Sequence, residues 1–213
     1  MTPSNVAIFD YGAGNLFSLK AALERNGAHE VSIIKDIKAI EKFNGLVLPG
    51  VGNFDPAIRS IEPHKKLLIQ AIDDANNGGV PMLGICLGME MLFDKSEEGV
   101  LEGLKILEGE VVMLAKARVK IPHMGWNNLH IRTKDSKLLY GVNDDSWVYF
   151  VHSYYVKPKD KGLITASSHY GNRIPAVLEN GNLFGTQFHP EKSGSIGAVM
   201  LKNFLKACSQ RCV

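Results

Sequence analysis

Short apolar runs separated by amphipathic stretches organise the first half of the chain. Residues 6–9, Val-Ala-Ile-Phe, form an apolar run that ends at Asp10. Gly12-Ala13-Gly14 turns the chain, and residues 15–26 set Leu16, Leu19, Ala22 and Leu23 on one face of a helix that Gly27 closes. Residues 31–34 and 45–48 read as the second and third strands, the third stopped by Pro49-Gly50. A helical region follows, broken by Pro56 and Pro63, and resumes from 67 to about 77. Residues 80–86 are apolar on both faces, as a central parallel strand requires, and 87–93 read as helix. Strands alternating with helices imply βαβ units and a parallel sheet.

The second half has another texture. Strand-like runs at 110–114, 129–132, 147–151, 163–168, 176–179 and 183–188 follow one another. Turns such as Asn143-Asp144-Asp145, Tyr170-Gly171-Asn172 and Asn180-Gly181-Asn182 separate several of them. These imply antiparallel hairpins attached to the parallel sheet. A last helix, 195–208, carries Ile196, Val199, Met200 and Phe204 at helical spacing. The predicted fold is α/β: an open, mostly parallel, doubly wound sheet with helices on both faces and antiparallel strands in the second half. No Pro/Ser-rich linker or internal repeat divides the chain, so residues 1–213 are expected to form a single domain.

Composition narrows the function. Of 213 residues, Lys+Arg 24 against Asp+Glu 22 leaves a formal charge of +2. That is neither a strongly basic nucleic-acid module nor an acidic tail protein. No run approaches the ~20 apolar residues of a membrane span, and Met1-Thr2-Pro3-Ser4-Asn5 lacks a signal-peptide pattern. A soluble, cytoplasmic protein is expected. The three cysteines, Cys86, Cys208 and Cys212, are too few and too oddly numbered for a disulfide framework, and none sits in a zinc-type spacing. No metal or cofactor is expected. Lys116, Arg118 and Lys120 read as a solvated strand face, and Cys208 and Cys212 receive no role.

Cys86 is the most informative residue. Gly84 and Gly88 bracket it at two residues each side, at the end of a strand and the start of a helix. That is the frame of a nucleophile elbow with cysteine in place of serine, where side chains at the flanking positions would collide with neighbouring backbone. The helix start is expected to favour thiolate at Cys86. A buried core cysteine is the competing reading. A cysteine nucleophile needs a base and a group to orient it. His189 ends a strand, precedes a proline, and has Glu191 two residues on. Alone, His-Pro-Glu is equally an exposed turn. Pro49-Gly50-Val51-Gly52 ends the neighbouring strand and could offer a backbone N–H to an oxyanion beside that of Leu87. Gly12-Ala13-Gly14 lacks the full dinucleotide fingerprint and a Walker lysine.

Gly84-Ile85-Cys86-Leu87-Gly88-Met89 with the distant Phe188-His189-Pro190-Glu191 resembles the class I (triad) glutamine amidotransferases. Five further stretches resemble the branch of that family that serves as glutaminase subunits of imidazole glycerol phosphate synthases. They are residues 10–15, 49–52, Pro122-His123-Met124-Gly125-Trp126-Asn127, Val151-His152-Ser153-Tyr154-Tyr155 and 187–193. The resemblance implies that Cys86 attacks the side-chain amide of glutamine, His189 moves the proton, and Glu191 orients His189. It implies oxyanion contacts from Val51, Gly52 and Leu87. It implies substrate contacts from Gly50, Gly52, Glu90, Glu98, Ser153 and Tyr154, with the substrate carboxylate near the Ser153-Tyr154 backbone and its ammonium near Glu90 and Glu98. Glu90 departs from the family pattern, which has glutamine there; a carboxylate would suit an ammonium and oppose thiolate formation at Cys86.

The same resemblance implies a (β/α)8-barrel synthase partner. Ammonia would pass through it to a ribonucleotide, giving imidazole glycerol phosphate and an aminoimidazole carboxamide ribotide in histidine biosynthesis. Asn15, Trp126 and Lys192 are the implied interface residues, with Trp126 in a loop. Glutaminase activity is expected to stay weak until the partner is loaded, with the 49–52 loop as the switch. Partner synthases of the anthranilate, aminodeoxychorismate or vitamin B6 pathways are the alternative.

Overall fold

The computed structural model describes residues 3–115 and 119–210. Lys116 and Arg118 of the basic segment, and Cys212, lie outside the described residues. The chain runs β1 (Asn5–Phe9), α1 (Leu16–Arg25), β2 (Glu30–Ile34), β3 (Gly45–Leu48), α2 (Phe54–Ile61), α3 (Lys65–Asn76), β4 (Met82–Ile85) and a single turn, α4 (Leu87–Glu90). There follow β5 (Lys95–Ser96), β6 (Gly109–Met113), β7 (His123–Asn128), β8 (His130–Ile131), β9 (Trp147–His152), β10 (Tyr154–Pro158), β11 (Ile164–Tyr170), β12 (Asn172–Asn180), β13 (Leu183–Thr186) and α5 (Gly194–Ser209).

The main sheet has the order β2-β1-β3-β4-β13-β12-β11-β8. Its first five strands are parallel, and β12, β11 and β8 continue it antiparallel. Alternation along each parallel strand explains why these runs are apolar throughout. Ala7, Phe9, Leu46, Leu48 and Met82 face one core with Phe54, Ile58 and Ile61 of α2 and Leu68 and Ile72 of α3. Val6, Ile8, Val47, Leu83 and Ile85 face the other, with Leu19, Ala22 and Leu23 of α1 and Met200, Leu201, Phe204 and Leu205 of α5. Both faces are covered, as a parallel sheet requires. β11 and β12, and β12 and β13, are joined at Gly171 and Gly181, both with positive φ, as tight hairpin turns need.

The structure corrects several predicted elements. Pro56 sits in the first turn of α2, where its missing N–H costs no hydrogen bond, so it does not break the helix. The helix expected over 87–93 is only the four residues of α4, and the strand expected over 129–132 is the two residues of β8. Not every second-half strand joins the main sheet. β10, β6 and β5 form a three-stranded sheet, and β7 pairs with β9 alone. β7 and β10 were not expected as strands. β7 is Gly- and Asn-rich and buries only His123, so it shows no apolar alternation. Trp126 therefore lies on a strand, not in a loop. On α5 the buried face runs through Met200, Leu201, Phe204, Leu205 and Cys208, leaving Ile196 and Val199 at its margin. Among the described residues no helix is long and apolar enough to cross a membrane.

Phe204 joins α5 to the sheet: it is fully buried, its ring 6.3 Å from that of Phe184. Phe204→Ala is expected to cost about 3–5 kcal/mol. Thermal unfolding should show a Tm lower by about 2–4 °C for each kcal/mol. A Tm within about 3 °C of the parent's would contradict this packing.

Candidate active site

The carboxyl ends of β3, β4 and β13 lie side by side, so the loops that leave them meet in one crevice. β4 ends at Ile85, and Cys86 takes φ 51° and ψ −111° before α4 begins. A non-glycine residue there is strained by about 1–3 kcal/mol and must be held by its surroundings. Glycines let the surroundings close in. A Cβ on Gly88 would lie 1.9 Å from the Leu48 carbonyl oxygen, and one on Gly84 would lie 3.0 Å from the Met89 backbone. A Cβ on Gly50 would lie 2.6 Å from the Gly88 nitrogen. β3 and its loop thus press directly on the turn that presents Cys86.

Pairing of Thr186 with Ile85 brings the end of β13 alongside, and the Cys86 N–H donates to the Thr186 carbonyl at 2.7 Å. Beyond β13, Gln187 and His189 are both buried. His189 Nδ1 lies 2.9 Å from Glu191 Oε1, both side chains nearly inaccessible. Against that carboxylate, Nδ1 carries the proton and Nε2 is the acceptor. Nε2 is buried and has no hydrogen-bond partner among the described residues. The Cys86 thiol faces the Val151 carbonyl, 4.0 Å away, and Gln187 Nε2, 3.8 Å away, rather than bonding to the imidazole.

The cleft above Cys86 has a volume of about 240 Å³ and is lined by Val51, Gly52, Leu87, Glu90, Glu98, His152, Ser153 and Tyr154, among others. Gly50 does not line it; it packs beneath, against Leu87 and Gly88. Among the described residues the lining carries two carboxyl side chains and no lysine or arginine. Glu98 accepts the Phe54 N–H at 2.8 Å and so caps α2; burial holds its carboxyl above the usual range. Glu90, one turn after Cys86, leans back over it as helical side chains do. Its carboxylate accepts Gln187 Nε2 at 2.9 Å, and burial pushes its pKa up to about 8, the Gln187 bond opposing and Glu98 assisting. The Cys86 thiol is likewise pushed up, first by burial and then by Glu90, while the Leu87 N–H acts in the other direction. The expected thiolate-favouring helix start is outweighed, because α4 is a single turn and ends in a carboxyl group.

Asn15, Trp126 and Lys192 are exposed. Asn15 caps α1 through its side chain, accepting the Ser18 N–H. Trp126 packs edge-on against Tyr149 across β7 and β9 and is half exposed. Two residues of the crevice were not singled out from the sequence. Gln187 bridges Cys86 and Glu90; it precedes His189 by two, the spacing that puts extended residues on one side. The Tyr11 hydroxyl donates to the Pro49 carbonyl from a fully buried position, with Gly14 pressed on the same proline; nothing in its sequence neighbourhood points to Pro49.

Residues 7–208 match the family model described as glutamine amidotransferase class-I. Among curated relatives, a protein of Caldanaerobacter subterraneus subsp. tengcongensis is 49% identical over 93% of this chain and 96% of its own length. One of Synechococcus sp. is 44% identical over 99% and 97%. Both are named imidazole glycerol phosphate synthase subunit HisH. Among solved structures, PurLQS from Thermotoga maritima superposes with a TM-score of 0.70 at 20% identity, covering 98% of each chain. The glutaminase domain of Trypanosoma brucei CTPS with bound acivicin gives 0.69 at 19%, covering 98% and 95%. At such identities the likeness is one of fold.

A carboxyl group whose proton is held more tightly in the folded state than in the unfolded one stabilises the fold at low pH. For Glu90 that contribution is complete below its unfolded value of 4.5 and is lost as pH rises through about 8. Glu90→Gln, which cannot ionise, should therefore gain Tm over the parent between about pH 5 and about pH 8.5. It should also move alkylation of Cys86 by iodoacetamide to lower pH. A Tm difference that is the same at both pH values, with an unchanged alkylation profile, would contradict this.

Proposed function

The chain belongs to the class-I glutamine amidotransferase family, and we propose that Cys86, His189 and Glu191 are the triad with which it hydrolyses glutamine. It is a glutamine amidotransferase subunit of the kind that serves imidazole glycerol phosphate synthase in histidine biosynthesis. The observation that carries the triad is the braced Cys86 turn at the end of β4 and, past the end of the neighbouring β13, an imidazole with Nδ1 on a carboxylate and Nε2 without a partner among the described residues. Residues 1–213 act as one amidotransferase domain.

His189 Nε2 takes the proton of the Cys86 thiol as sulfur bonds to the amide carbon of glutamine. The tetrahedral oxyanion is met by backbone N–H groups of Leu87 and the 51–52 segment. The C–N bond breaks, His189 gives its proton to the departing nitrogen, and ammonia leaves a glutamyl thioester. Water then adds to the thioester, His189 taking one of its protons and returning it to sulfur. Glutamate is released, and the sum is glutamine plus water to glutamate plus ammonia. Glu191 keeps Nδ1 protonated and supports the imidazolium in both halves.

The charge of the cleft suits a zwitterionic amino acid. Glu90 and Glu98 supply the negative pole for the α-ammonium group. With no cationic side chain among the described lining residues, the α-carboxylate falls to the Ser153-Tyr154 main chain and Gly52. Ammonia then passes to a (β/α)8-barrel synthase seated over Asn15, Trp126 and Lys192, which are exposed. Cys86 and Cys208 are free thiols, as suits a cytoplasmic enzyme. In the chain alone the 49–52 loop withholds an oxyanion donor, and turning over one peptide of the loop, cheap at glycine, supplies it.

One oxyanion donor is worth about 10²–10³ in kcat. Glutamate release from the chain alone should be slow, and should rise by about that factor with a barrel synthase and its ribonucleotide. Cys86→Ala should abolish it. Full activity without the partner, or hydrolysis that survives Cys86→Ala, would overturn this function.

A further inference from the structure

His152 and His123 form a buried pair behind the cleft that the triad chemistry does not use. His152 ends β9 and lines the cleft; His123 opens β7. His152 Nδ1 lies 2.8 Å from the Tyr154 carbonyl oxygen, and its Nε2 lies 3.0 Å from His123 Nδ1. His123 Nε2 lies 3.4 Å from Asn127 Nδ2. The amide of Asn127 is fixed in turn: Nδ2 donates to the His169 carbonyl, and Oδ1 accepts the Asn128 N–H.

These partners leave one assignment of protons. A carbonyl only accepts, so His152 Nδ1 carries a hydrogen and its Nε2 is an acceptor. His123 must then donate from Nδ1 and accept at Nε2, which the Asn127 amide satisfies. A proton added to either ring would set two N–H groups against each other. Burial holds both rings neutral, His123 pushed down to about 4 and His152 to about 3. The His123 ring is clamped between Phe150, centroids 4.7 Å apart, and Tyr170, 3.8 Å. The chain therefore has one direction and one geometry, and it ends on the main chain of Tyr154.

That main chain is the single-residue corner between β9 and β10. The Ser153 carbonyl accepts the Leu114 N–H at 2.9 Å, and Tyr154 is opposite Met113 in the β10–β6 ladder. In an antiparallel ladder, Tyr154's own N–H and C=O then point away from β6. His152 takes the C=O, and the N–H on the same edge is directed by the same constraint.

We propose that His152, set from behind by His123, is a positioning residue that holds the Ser153-Tyr154 main chain to receive the substrate's α-carboxylate. The proposal rests on the glutaminase reading above and names the groups that shape its amino-acid end. Neither histidine touches the reacting amide.

The test uses the chain with a barrel synthase and its ribonucleotide, varying glutamine, and separately alkylates Cys86 with iodoacetamide, which has no carboxylate. His152→Phe is expected to raise KM for glutamine by about tenfold or more, with a smaller change in kcat and an unchanged alkylation rate. His152→Asn, whose amide N–H stands where Nδ1–H stood, should bring KM back to within about threefold of the parent. His123→Phe keeps a ring in the stack, deletes the bond, and should raise KM severalfold. It decides the question by itself if His152→Phe does not fold. KM unchanged in His123→Phe, or kcat and alkylation falling as far as KM rises in both phenylalanine variants, would overturn the proposal. So would His152→Asn as impaired as His152→Phe. Glutamine hydrolysis surviving in Cys86→Ala would instead remove the reading beneath it.

Discussion

The close approach of backbone to backbone around Cys86 is the constraint from which the rest of the site follows. Gly88 lies so near the Leu48 carbonyl that not even a methyl group fits between them, and Gly50 packs closely against the Gly88 nitrogen. This contact locks the end of β3 to the turn after β4. It holds Cys86 in a left-handed conformation that a free chain would leave. It also gathers the 49–52 loop, the Leu87 N–H and the thiol into one small volume. β13, paired to the other edge of β4, adds His189 and Glu191 from about a hundred residues away in sequence. Strand order, not proximity along the chain, assembles the chemistry.

The electrostatics of that volume are costly by design. Among the described residues the cleft lining carries Glu90 and Glu98 and no cation, and burial raises both carboxyls and the thiol. Each group is thereby biased toward its neutral form in the unoccupied cleft. A ligand bringing a positive charge between the two carboxyls favours their ionised forms. Binding and ionisation are coupled, so a cationic group held there alters the field at the Cys86 sulfur.

Much of this was legible in the residues. The parallel half of the fold followed from apolar runs at 6–9, 31–34, 45–48 and 80–86, because strands covered on both faces leave an unambiguous mark. The elbow followed from Gly84 and Gly88, where side chains are excluded by backbone contacts. The resemblance added Glu98 and Ser153-Tyr154. What stayed hidden has a common cause. β7 pairs with a single strand and needs no apolar alternation, so Trp126 read as a loop residue. Gln187 and Tyr11 act through partners 38 to 101 positions away, and His152 is set from behind by His123 on another strand; no local pattern announces such contacts. Glu90 was visible as a carboxyl near the thiol, but its bond to Gln187 depended on the strand order beyond β4.

The tether between Tyr11 and Pro49 has a mechanical consequence. Pro49 is moored on two sides, by a buried hydroxyl and by the chain at Gly14, while Val51 and Gly52 stand at the mouth of the cleft. Gly50 is packed against Leu87 and Gly88, so a peptide rotation in this loop must begin beyond both, at Val51 and Gly52. The mooring post itself belongs to the turn that ends in Asn15, at the molecular surface. Displacement of that turn reaches Pro49 through one hydroxyl and the close approach of Gly14, which makes the segment a short lever between the outside of the molecule and the mouth of the cleft.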